Sequence, residues 1–188
     1  MEEMTLERVF DCLPVRDRNS HKGSFGSVLA VAGSGWYRGA ASLTVEGALR
    51  AGAGIVTLAS VEPVLAAVAA RLPECCLCPC VMGAEDGIAP DVWNLDRIRR
   101  QKATVLLLGP GLGSSSQSAA RGQESKKLVE ELVNGFAGSA VLDADGLNAA
   151  TLLLREGKPF PHPAGELVVT PHPGEMARLT GKIGRAHV

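Results

Sequence analysis

Short apolar runs alternate along this chain with longer segments in which apolar residues recur every three or four positions. The runs are apolar throughout rather than at alternate positions, which is typical of strands buried on both faces of a sheet. They predict strands within residues 27–34, 55–60, 76–82, 104–111, 140–146 and 167–174. The periodic segments predict helices at 39–52, 63–72, 91–101, 147–155 and 175–181, and one more that begins at about Glu124. Strands that alternate with helices predict an α/β domain with a parallel sheet and right-handed connections.

Single glycine and proline positions sharpen this prediction. Gly52 follows the first of these helices, at a place where glycine commonly ends a helix. Pro63 suits the first helical position, because the N–H that proline lacks would have no partner there. Pro79 lies inside the third strand and predicts an edge strand or a bulge, since proline donates no hydrogen bond to a sheet.

The composition fits one globular domain. The chain has 188 residues, 46% of them hydrophobic, which is enough for a single core. Its 22 glycines and its aromatic content of 4% allow helices to lie close to a sheet. The net charge of −1, without a long basic run, gives no support to a nucleic-acid partner. No apolar run reaches about 18 residues and the acidic N-terminus lacks a signal-peptide core, so we expect no membrane association and a cytoplasmic location.

Four of the five cysteines lie in the sequence PECCLCPC, at residues 73–80. Zinc sites usually use cysteine pairs on turns with a second pair elsewhere, whereas these cysteines are adjacent or alternate on a predicted strand. Alternate residues of a strand share a face, so we expect Cys76, Cys78 and Cys80 to point the same way. The pattern favours reduced thiols in buried strand positions over a metal centre or a disulfide framework.

Glycines and polar residues follow four of the predicted strands. They are GSG at 33–35 with Gly39 and Ala40 beyond it, GPGLG at 109–113, DAD at 143–145 and TPHPGE at 170–175. In an open parallel sheet, ligands bind beyond the carboxyl ends of the strands. The four segments therefore predict one composite crevice for a small molecule.

Two of the glycine-containing motifs each allow two interpretations. GPGLG lets a backbone approach a ligand closely, or it is a plain turn from strand to helix. It matches neither the G-x-G-x-x-G dinucleotide fingerprint nor a P-loop. The HKG sequence at residues 21–23 either contacts a ligand or lies on a solvated face.

The acids and the histidine near the crevice have different expected tasks. Asp145 is placed to cap the helix that begins near Gly146. Asp143 has no such local task, and it either holds Mg²⁺ through water or accepts a substrate hydroxyl. His172 lies between two prolines that stiffen the backbone, so we expect it to be aimed at a ligand, with an exposed loop histidine as the alternative. Glu175 is expected to be a first-turn acid that interacts with the helix dipole.

Taken in this order, the motifs resemble those of the ADP/ATP-dependent NAD(P)H-hydrate dehydratases, a branch of the ribokinase-like fold. The matching stretches run from His21 to Gly181: HKGSFGSVLAVAGS, GAASLTVEGALRAGAGIVTLAS, LPE, LLLGPGLG, AVLDADGLNAA and VVTPHPGEMARLTG. The resemblance implies a three-layer α/β/α fold with a mostly parallel sheet, incomplete at the C-terminus. It also implies a repair reaction that dehydrates hydrated NADH or NADPH (NAD(P)HX) while ADP or ATP is consumed.

The resemblance further implies a site and its partners. Gly39 and Ala40, Gly113 and His172 match positions that contact the hydrated dinucleotide, and Asp143 matches the acid that ends its strand. Phosphoryl transfer to the C6 hydroxyl, followed by elimination of phosphate, implies ADP or ATP as co-substrate and Mg²⁺ to neutralise charge. A homo-oligomer is also expected of the intact family member.

The family pattern includes a segment that this sequence does not contain. After TPHPGE, the family continues with a Lys-Gly-containing nucleotide segment and a G-x-G-D turn, which binds phosphate and supplies the catalytic base. The 188 residues contain no G-x-G-D sequence. We therefore expect no catalytic residue in this chain. We also expect it to be inactive and poorly soluble, because its sheet would lack its last strands.

Residues 182–188 match nothing in the family pattern. IGRAHV, at 183–188, is the translation of the start of a common short-read sequencing adapter followed by a stop codon. That frame requires Lys, Glu or Gln just before it, and residue 182 is Lys. We hypothesise that 182–188 is adapter read-through, with a genuine short tail as the alternative. The expected organisation is a lead segment at 1–20, a partial dehydratase domain at 21–181 and this tail.

Two other functions remain open at this stage. One is a ribokinase-like kinase of a small vitamin precursor, which GPGLG and DADGLN would suit in part, although HKGSFG and TPHPGE favour the dehydratase. The other is a non-catalytic nucleotide-binding remnant. The products separate the two enzymes, because a kinase leaves a phosphorylated substrate and the repair enzyme releases free phosphate.

Overall fold

The computed structural model describes residues 5–13 and 17–181, and the interpretation of residues 182–188 lies outside this part of the chain. The strands are β1 (Ser27–Val31), β2 (Ile55–Val61), β3 (Cys76–Cys80), β4 (Val105–Leu108), β5 (Ser139–Leu142) and β6 (Leu167–Val169). The helices are α1 (Leu6–Cys12), α2 (Arg38–Arg50), α3 (Glu62–Ala69), α4 (Val92–Arg99), α5 (Ala119–Asn134), α6 (Asp145–Arg155) and α7 (Pro173–Thr180). Two short 3-10 helices span Lys22–Phe25 and Ala84–Asp86. The proposed boundaries at residues 20 and 181 stay predictions.

The six strands form one parallel sheet in the order β3–β2–β1–β4–β5–β6, as the alternation of apolar runs and helices predicts. The chain moves outward from β1 to β3 and then returns to place β4 on the other side of β1. Val31 at the end of β1 is aligned with Ala59 in β2 and with Leu108 in β4. The carboxyl ends of β1 and β4 therefore lie side by side, at the point of strand-order reversal where open parallel sheets bind ligands.

Helices cover both faces of the sheet, which gives the expected three layers. α2 and α3 pack on each other and on β1, β2 and β3, whereas α5 packs against both α4 and α6. Right-handed connections place these two groups on opposite faces. Over β4–β6, helices cover the face that carries α2 less completely. Leu107 and Val141 are only half-buried there, and Val168, which is aligned with them, is 50% exposed.

The glycine and proline signals in the sequence are confirmed. Gly52 has a φ of 98° just after α2, and Pro63 occupies the first turn of α3. Pro79 lies in β3, which is an edge strand. The side chain of Arg97 donates a 2.7 Å hydrogen bond from Nη1 to the carbonyl of Pro79. At this position the strand therefore has no N–H, and its carbonyl already has a partner.

The prediction for the start of α5 was wrong by five residues. The helix begins at Ala119 rather than at about Glu124, because the Ser118 hydroxyl accepts a 3.1 Å hydrogen bond from the Arg121 amide and caps it. The early turns were interpreted as a loop because they are polar. Arg121 and Ser125 are nevertheless buried, so polar residues form the inward face of this part of the helix.

The cysteine prediction was confirmed in part. Cys78 and Cys80 are buried on β3 and Cys75 is buried just before it, but Cys76 is exposed. Only two of the three alternate thiols therefore fill core positions. Within residues 5–13 and 17–181, no three His, Cys, Asp or Glu side chains are grouped as metal ligands. In the same part of the chain, no helix has the length and apolar character needed to cross a bilayer.

Candidate functional site

Two glycine turns meet at the reversal point of the sheet. The Gly33 amide donates a 2.8 Å hydrogen bond to the Pro110 carbonyl, and the Gly109 amide donates a 3.2 Å bond to the Val31 carbonyl. Gly33 and Gly109 have φ angles of 81° and 134°, which favour glycine. A Cβ on Gly109 would overlap the carbonyl oxygen of Asp143, so this turn lies directly against the end of β5.

The first turn of α2 is built against the GPGLG turn. A Cβ on Gly111 would lie 2.8 Å from the Cβ atoms of both Ala40 and Tyr37, which places these residues in close contact with its backbone. No side chain caps α2 at its N-terminus, and the space beside Gly39 is open for 4 Å. Helix N-termini with free amides favour anionic groups. The two predicted contact residues Gly39 and Ala40 thus lie at an open, uncapped helix start.

A shallow cavity of about 480 Å³, largely open to solvent, runs from α2 across the ends of β4 and β5. Its lining includes the predicted residues Ala40 and Asp143, together with Thr44, Pro110 and Thr170. The half-buried carboxylate of Asp143 makes no hydrogen bond with any described residue. The structure therefore brings Ala40 and Asp143 to one cavity, and it leaves the Asp143 oxygens available for a ligand.

The capping role expected of Asp145 was wrong. Ala144, with a φ of 50°, precedes the first turn of α6, and Asp145 is the first helical residue. One carboxylate oxygen of Asp145 accepts a 2.9 Å hydrogen bond from the Gly113 amide, and the other accepts one of 3.3 Å from Asn148 Nδ2. Asp145 therefore joins the GPGLG turn to α6 instead of capping its own helix.

Gly113 lies apart from the Asp143 cavity. Its amide is bonded to Asp145, and its carbonyl accepts a 2.7 Å hydrogen bond from the hydroxyl of Ser125. Gly113 is buried and has a φ of 86°, so no other residue type fits this backbone without strain. The contacts of Gly113 within the described chain are structural, and its contact with a dinucleotide stays a prediction.

His172 is an exposed residue that caps its own helix. Its Nδ1 accepts a 3.0 Å hydrogen bond from the Gly174 amide, while its own amide donates a 2.9 Å bond to the Glu175 carboxylate. Its Nε2 lies 3.4 Å from the other oxygen of Glu175, and 61% of the ring is exposed. Of the two ring nitrogens, Nε2 is the one that the cap does not use, and it lies beside Glu175. Glu175 lies in the first turn of α7, as predicted, and it is buried.

A buried arginine beside the two glycine turns was missed by the sequence analysis. Arg121 is 0% exposed and pairs with Glu124 across 3.1 Å. Burial lowers the pKa of its guanidinium, whereas the Glu124 and Asp145 carboxylates favour the charged form. The available signal was Ser118, a helix-capping residue type, three positions before Arg121.

The donor set near Asp143 fits a water-mediated magnesium ion. Mg²⁺ keeps several waters and commonly uses one or two carboxylates together with substrate phosphates. Asp143 offers one unpaired carboxylate, and Thr170 adds a neutral residue at the same cavity. A site of this kind needs the phosphates of a nucleotide to complete it.

Comparison with known proteins identifies related sequences. A family model described as NAD(P)H-hydrate dehydratase matches residues 28–187. The bifunctional NAD(P)H-hydrate repair enzyme Nnr of Gloeobacter violaceus is 41% identical over 171 residues, which cover 91% of this chain and 30% of that protein. The chain thus spans about a third of the length of this curated relative.

Solved structures with the same fold include proteins of Bacillus subtilis and Enterococcus faecalis. The ADP/ATP-dependent NAD(P)H-hydrate dehydratase of Bacillus subtilis, co-crystallised with ATP and Mg²⁺, superimposes with a TM-score of 0.68 at 28% identity. The match covers 94% of this chain and 55% of that one. A ribokinase-like superfamily protein of Enterococcus faecalis gives a TM-score of 0.66 at 25% identity, over 89% of this chain and 52% of that one. The ribokinase-like fold class expected from the sequence is confirmed.

Proposed function

The chain belongs to the NAD(P)H-hydrate dehydratase family, and on that premise we propose that it binds hydrated NADH or NADPH. The enzyme it represents would return these damaged cofactors to NADH or NADPH, with ADP or ATP as co-substrate. The observation that carries this proposal is the unpaired Asp143 carboxylate in the cavity it shares with Ala40, beside the uncapped start of α2. We also propose a cytoplasmic location and a homo-oligomer for the complete protein.

The proposed reaction has two steps, a phosphoryl transfer and an elimination. In the first, the C6 hydroxyl oxygen of the hydrated nicotinamide forms a bond to the terminal phosphorus of ADP or ATP. The bond from that phosphorus to its bridging oxygen breaks, AMP or ADP departs, and the hydroxyl proton leaves. In the second, the C6–O bond breaks, phosphate departs, and a proton is lost from C5 to restore the ring double bond. The first step improves the leaving group, because phosphate departs more readily than hydroxide.

Four of the five predicted residues have a definite part in this proposal, and Gly113 is the exception. Gly39 and Ala40 would let the diphosphate of the substrate approach the amides of α2, because neither residue carries a side chain larger than a methyl group. Asp143 would accept a hydrogen bond from the C6 hydroxyl or hold a water of a nucleotide-bound Mg²⁺, which would neutralise charge on the transferred phosphoryl group. His172 would contact the dinucleotide through Nε2, since Nδ1 is used as a cap.

The 188 residues contain no G-x-G-D sequence, which the family resemblance implies as the source of the catalytic base. For this chain the proposal is therefore substrate binding, and turnover is proposed for a protein that also carries that turn. The kinase alternative is less favoured, because the matching family model is that of the dehydratase over residues 28–187.

Calorimetric titration of the 188-residue protein with hydrated NADH tests the proposal. We expect saturable binding that Asp143→Asn weakens about tenfold, which corresponds to about 1.4 kcal/mol. Asp96→Asn is the matched control, because Asp96 is an exposed acid on α4 away from the cavity. Absence of binding by the unaltered protein at millimolar ligand would overturn the proposal. Equal binding by the two variants would remove Asp143 from the site.

A further inference from the structure

The turn that follows β1 is held from outside by the 3-10 segment Ala84–Asp86. The amide of Gly35 donates a 2.9 Å hydrogen bond to the carbonyl of Asp86. A Cβ on Gly35 would lie 2.6 Å from the Cβ of Asp86, so the two backbones are in direct contact. This turn leads into Tyr37 and the start of α2, and its position therefore depends on where Asp86 lies.

Asp86 itself lies in a segment of unfavourable backbone geometry. Glu85 and Asp86 are consecutive residues with φ angles of 50° and 54°, in the left-handed region that side chains other than glycine rarely adopt. Such a conformation persists only where surrounding contacts impose it. Those contacts come from α5.

Arg121 and Glu124 form hydrogen bonds to the backbone on both sides of Glu85 and Asp86. Arg121 donates from Nη1 to the carbonyl of Ala84 at 3.1 Å and from Nη2 to that of Ile88 at 3.0 Å. The Glu124 carboxylate accepts a 2.9 Å hydrogen bond from the amide of Ala84 and pairs with Arg121. Both polar groups of the Ala84 backbone are thus bound by the two members of one ion pair.

Two glycines leave the space that the Arg121 and Glu124 side chains occupy. A Cβ on Gly87 would overlap the Arg121 guanidinium, and a Cβ on Gly83 would lie 2.5 Å from the Glu124 carboxylate. Arg121 Nε also donates a 3.2 Å bond to the hydroxyl of Ser125, which in turn bonds to the carbonyl of Gly113. One buried guanidinium therefore links the segment beside Gly35 to the end of the GPGLG turn.

We propose that Arg121 and Glu124 are positioning residues that hold the Gly33–Tyr37 turn, and with it the start of α2, in the geometry that binds the substrate. They act through Asp86 and touch no ligand themselves. The ligand-binding part of this inference rests on the proposed function, whereas the mechanical coupling from Arg121 to Gly35 does not.

Amide hydrogen exchange measured by NMR tests the coupling directly. In Arg121→Lys, which keeps the charge but loses the planar fork, we expect exchange at Ala84 and Gly35 to quicken about tenfold or more. The control Arg99→Lys alters another Arg–Glu pair, with Glu131 at 2.6 Å near the amino ends of the strands, and should leave both amides unchanged. Unchanged protection of Gly35 in Arg121→Lys, with Ala84 loosened, would overturn the coupling.

A second variant keeps the proposal testable if Arg121→Lys does not fold. Glu124→Ala removes the acceptor for the Ala84 amide and the carboxylate beside the buried Arg121 guanidinium. Because Glu124 is 26% exposed, water can solvate the donors that it leaves. The same faster exchange at Ala84 and Gly35 is expected. A purely structural role would instead speed exchange evenly across β1, β2 and β4.

Titration of the same variants with hydrated NADH tests the functional part. We expect Arg121→Lys and Glu124→Ala to bind about tenfold more weakly than Arg99→Lys. If the unaltered protein binds no hydrate, the proposed function fails while the exchange data still judge the coupling. If Gly35 is loosened but binding is unchanged, Arg121 and Glu124 are not positioning residues for this substrate.

Discussion

The amide of Gly113 donates a 2.9 Å hydrogen bond to the carboxylate of Asp145, across 32 positions of the chain. This bond ties the turn after β4 to the first residue of the helix that follows β5. The carboxylate of the neighbouring Asp143 has no hydrogen-bond partner within the described residues, although Asp143 lies only two positions away. The two aspartates of one short motif therefore have opposite tasks, one structural and one free for a ligand.

Replacement of Asp145 should cost stability. Asp145→Ala leaves the buried Gly113 amide without an acceptor, and we expect the free energy of unfolding to fall by about 1.5–3 kcal/mol. Asp143→Ala should change it by no more than about 0.5 kcal/mol, because its carboxylate has no bond to lose. Chemical denaturation of both variants measures this, and equal losses would contradict the assignment of tasks.

Replacement of Ser34 by alanine should stabilise the protein. Its hydroxyl is buried and has no hydrogen-bond partner, the only such side-chain oxygen or nitrogen among residues 5–13 and 17–181. Ser34→Ala removes that unsatisfied group, so we expect the protein to gain about 1 kcal/mol. Ser60→Ala is the control, because the Ser60 hydroxyl donates a 2.7 Å bond to the Ala32 carbonyl and its loss should destabilise. Thermal melts of the pair should shift in opposite directions, and a lower melting temperature for Ser34→Ala would be inconsistent with an orphaned hydroxyl.

Sequence patterns predicted the sheet more fully than the site. Strand positions, the edge strand with Pro79 and the helix end at Gly52 all follow from local rules, because burial on both faces and backbone constraints act over a few residues. The bond of Asp145 to the Gly113 amide and the bonds of Arg121 to the Ala84 and Ile88 carbonyls span 32 to 37 positions of the sequence, so no local pattern reveals them. Asp145 was assigned to its own helix for that reason, and Arg121 was placed in a polar loop.

Gly109 and Gly47 should respond in opposite ways to a methyl group. Gly109 has a φ of 134°, and a Cβ there would overlap the end of β5. Gly109→Ala should lower the free energy of unfolding by about 3 kcal/mol or more. Gly47 lies in the middle of α2 with open space around it, so Gly47→Ala should raise that energy by about 0.5–1 kcal/mol. Denaturant titrations of the two variants measure both changes. An unchanged free energy of unfolding for Gly109→Ala would contradict the close contact between Gly109 and the Asp143 carbonyl.

His172 allows its two roles to be separated. His172→Asn keeps a side-chain acceptor for the Gly174 amide, whereas His172→Ala removes the cap and should cost about 1 kcal/mol of stability. If Nε2 contacts the dinucleotide, both variants should bind hydrated NADH more weakly, and only His172→Ala should also melt earlier. Normal binding by both variants would leave His172 as a cap alone.

Cys75 should make the protein sensitive to alkaline pH. Burial raises the pKa of its thiol to about 11, so between about pH 9 and 11 the unfolded chain loses this proton and the folded chain keeps it. The contribution of Cys75 to stability is complete below about pH 9 and should fall by about 2–3 kcal/mol as pH rises to 11. Urea unfolding across this range should show a shallower decline for Cys75→Ala than for Cys76→Ala, which alters an exposed thiol. Parallel curves for the two variants would contradict the shift.

The edge formed by β3 has a consequence for how copies of this protein meet. An open sheet edge can recruit a strand from another molecule, which is a common route to fibrils and to runaway self-association. Pro79 has no N–H to donate to an added strand, and its carbonyl already accepts a hydrogen bond from Arg97. A foreign strand laid along β3 would have to displace the arginine and still leave a gap in its hydrogen-bond ladder. We therefore expect copies of this chain to associate through side-chain surfaces and not by extension of the sheet at β3.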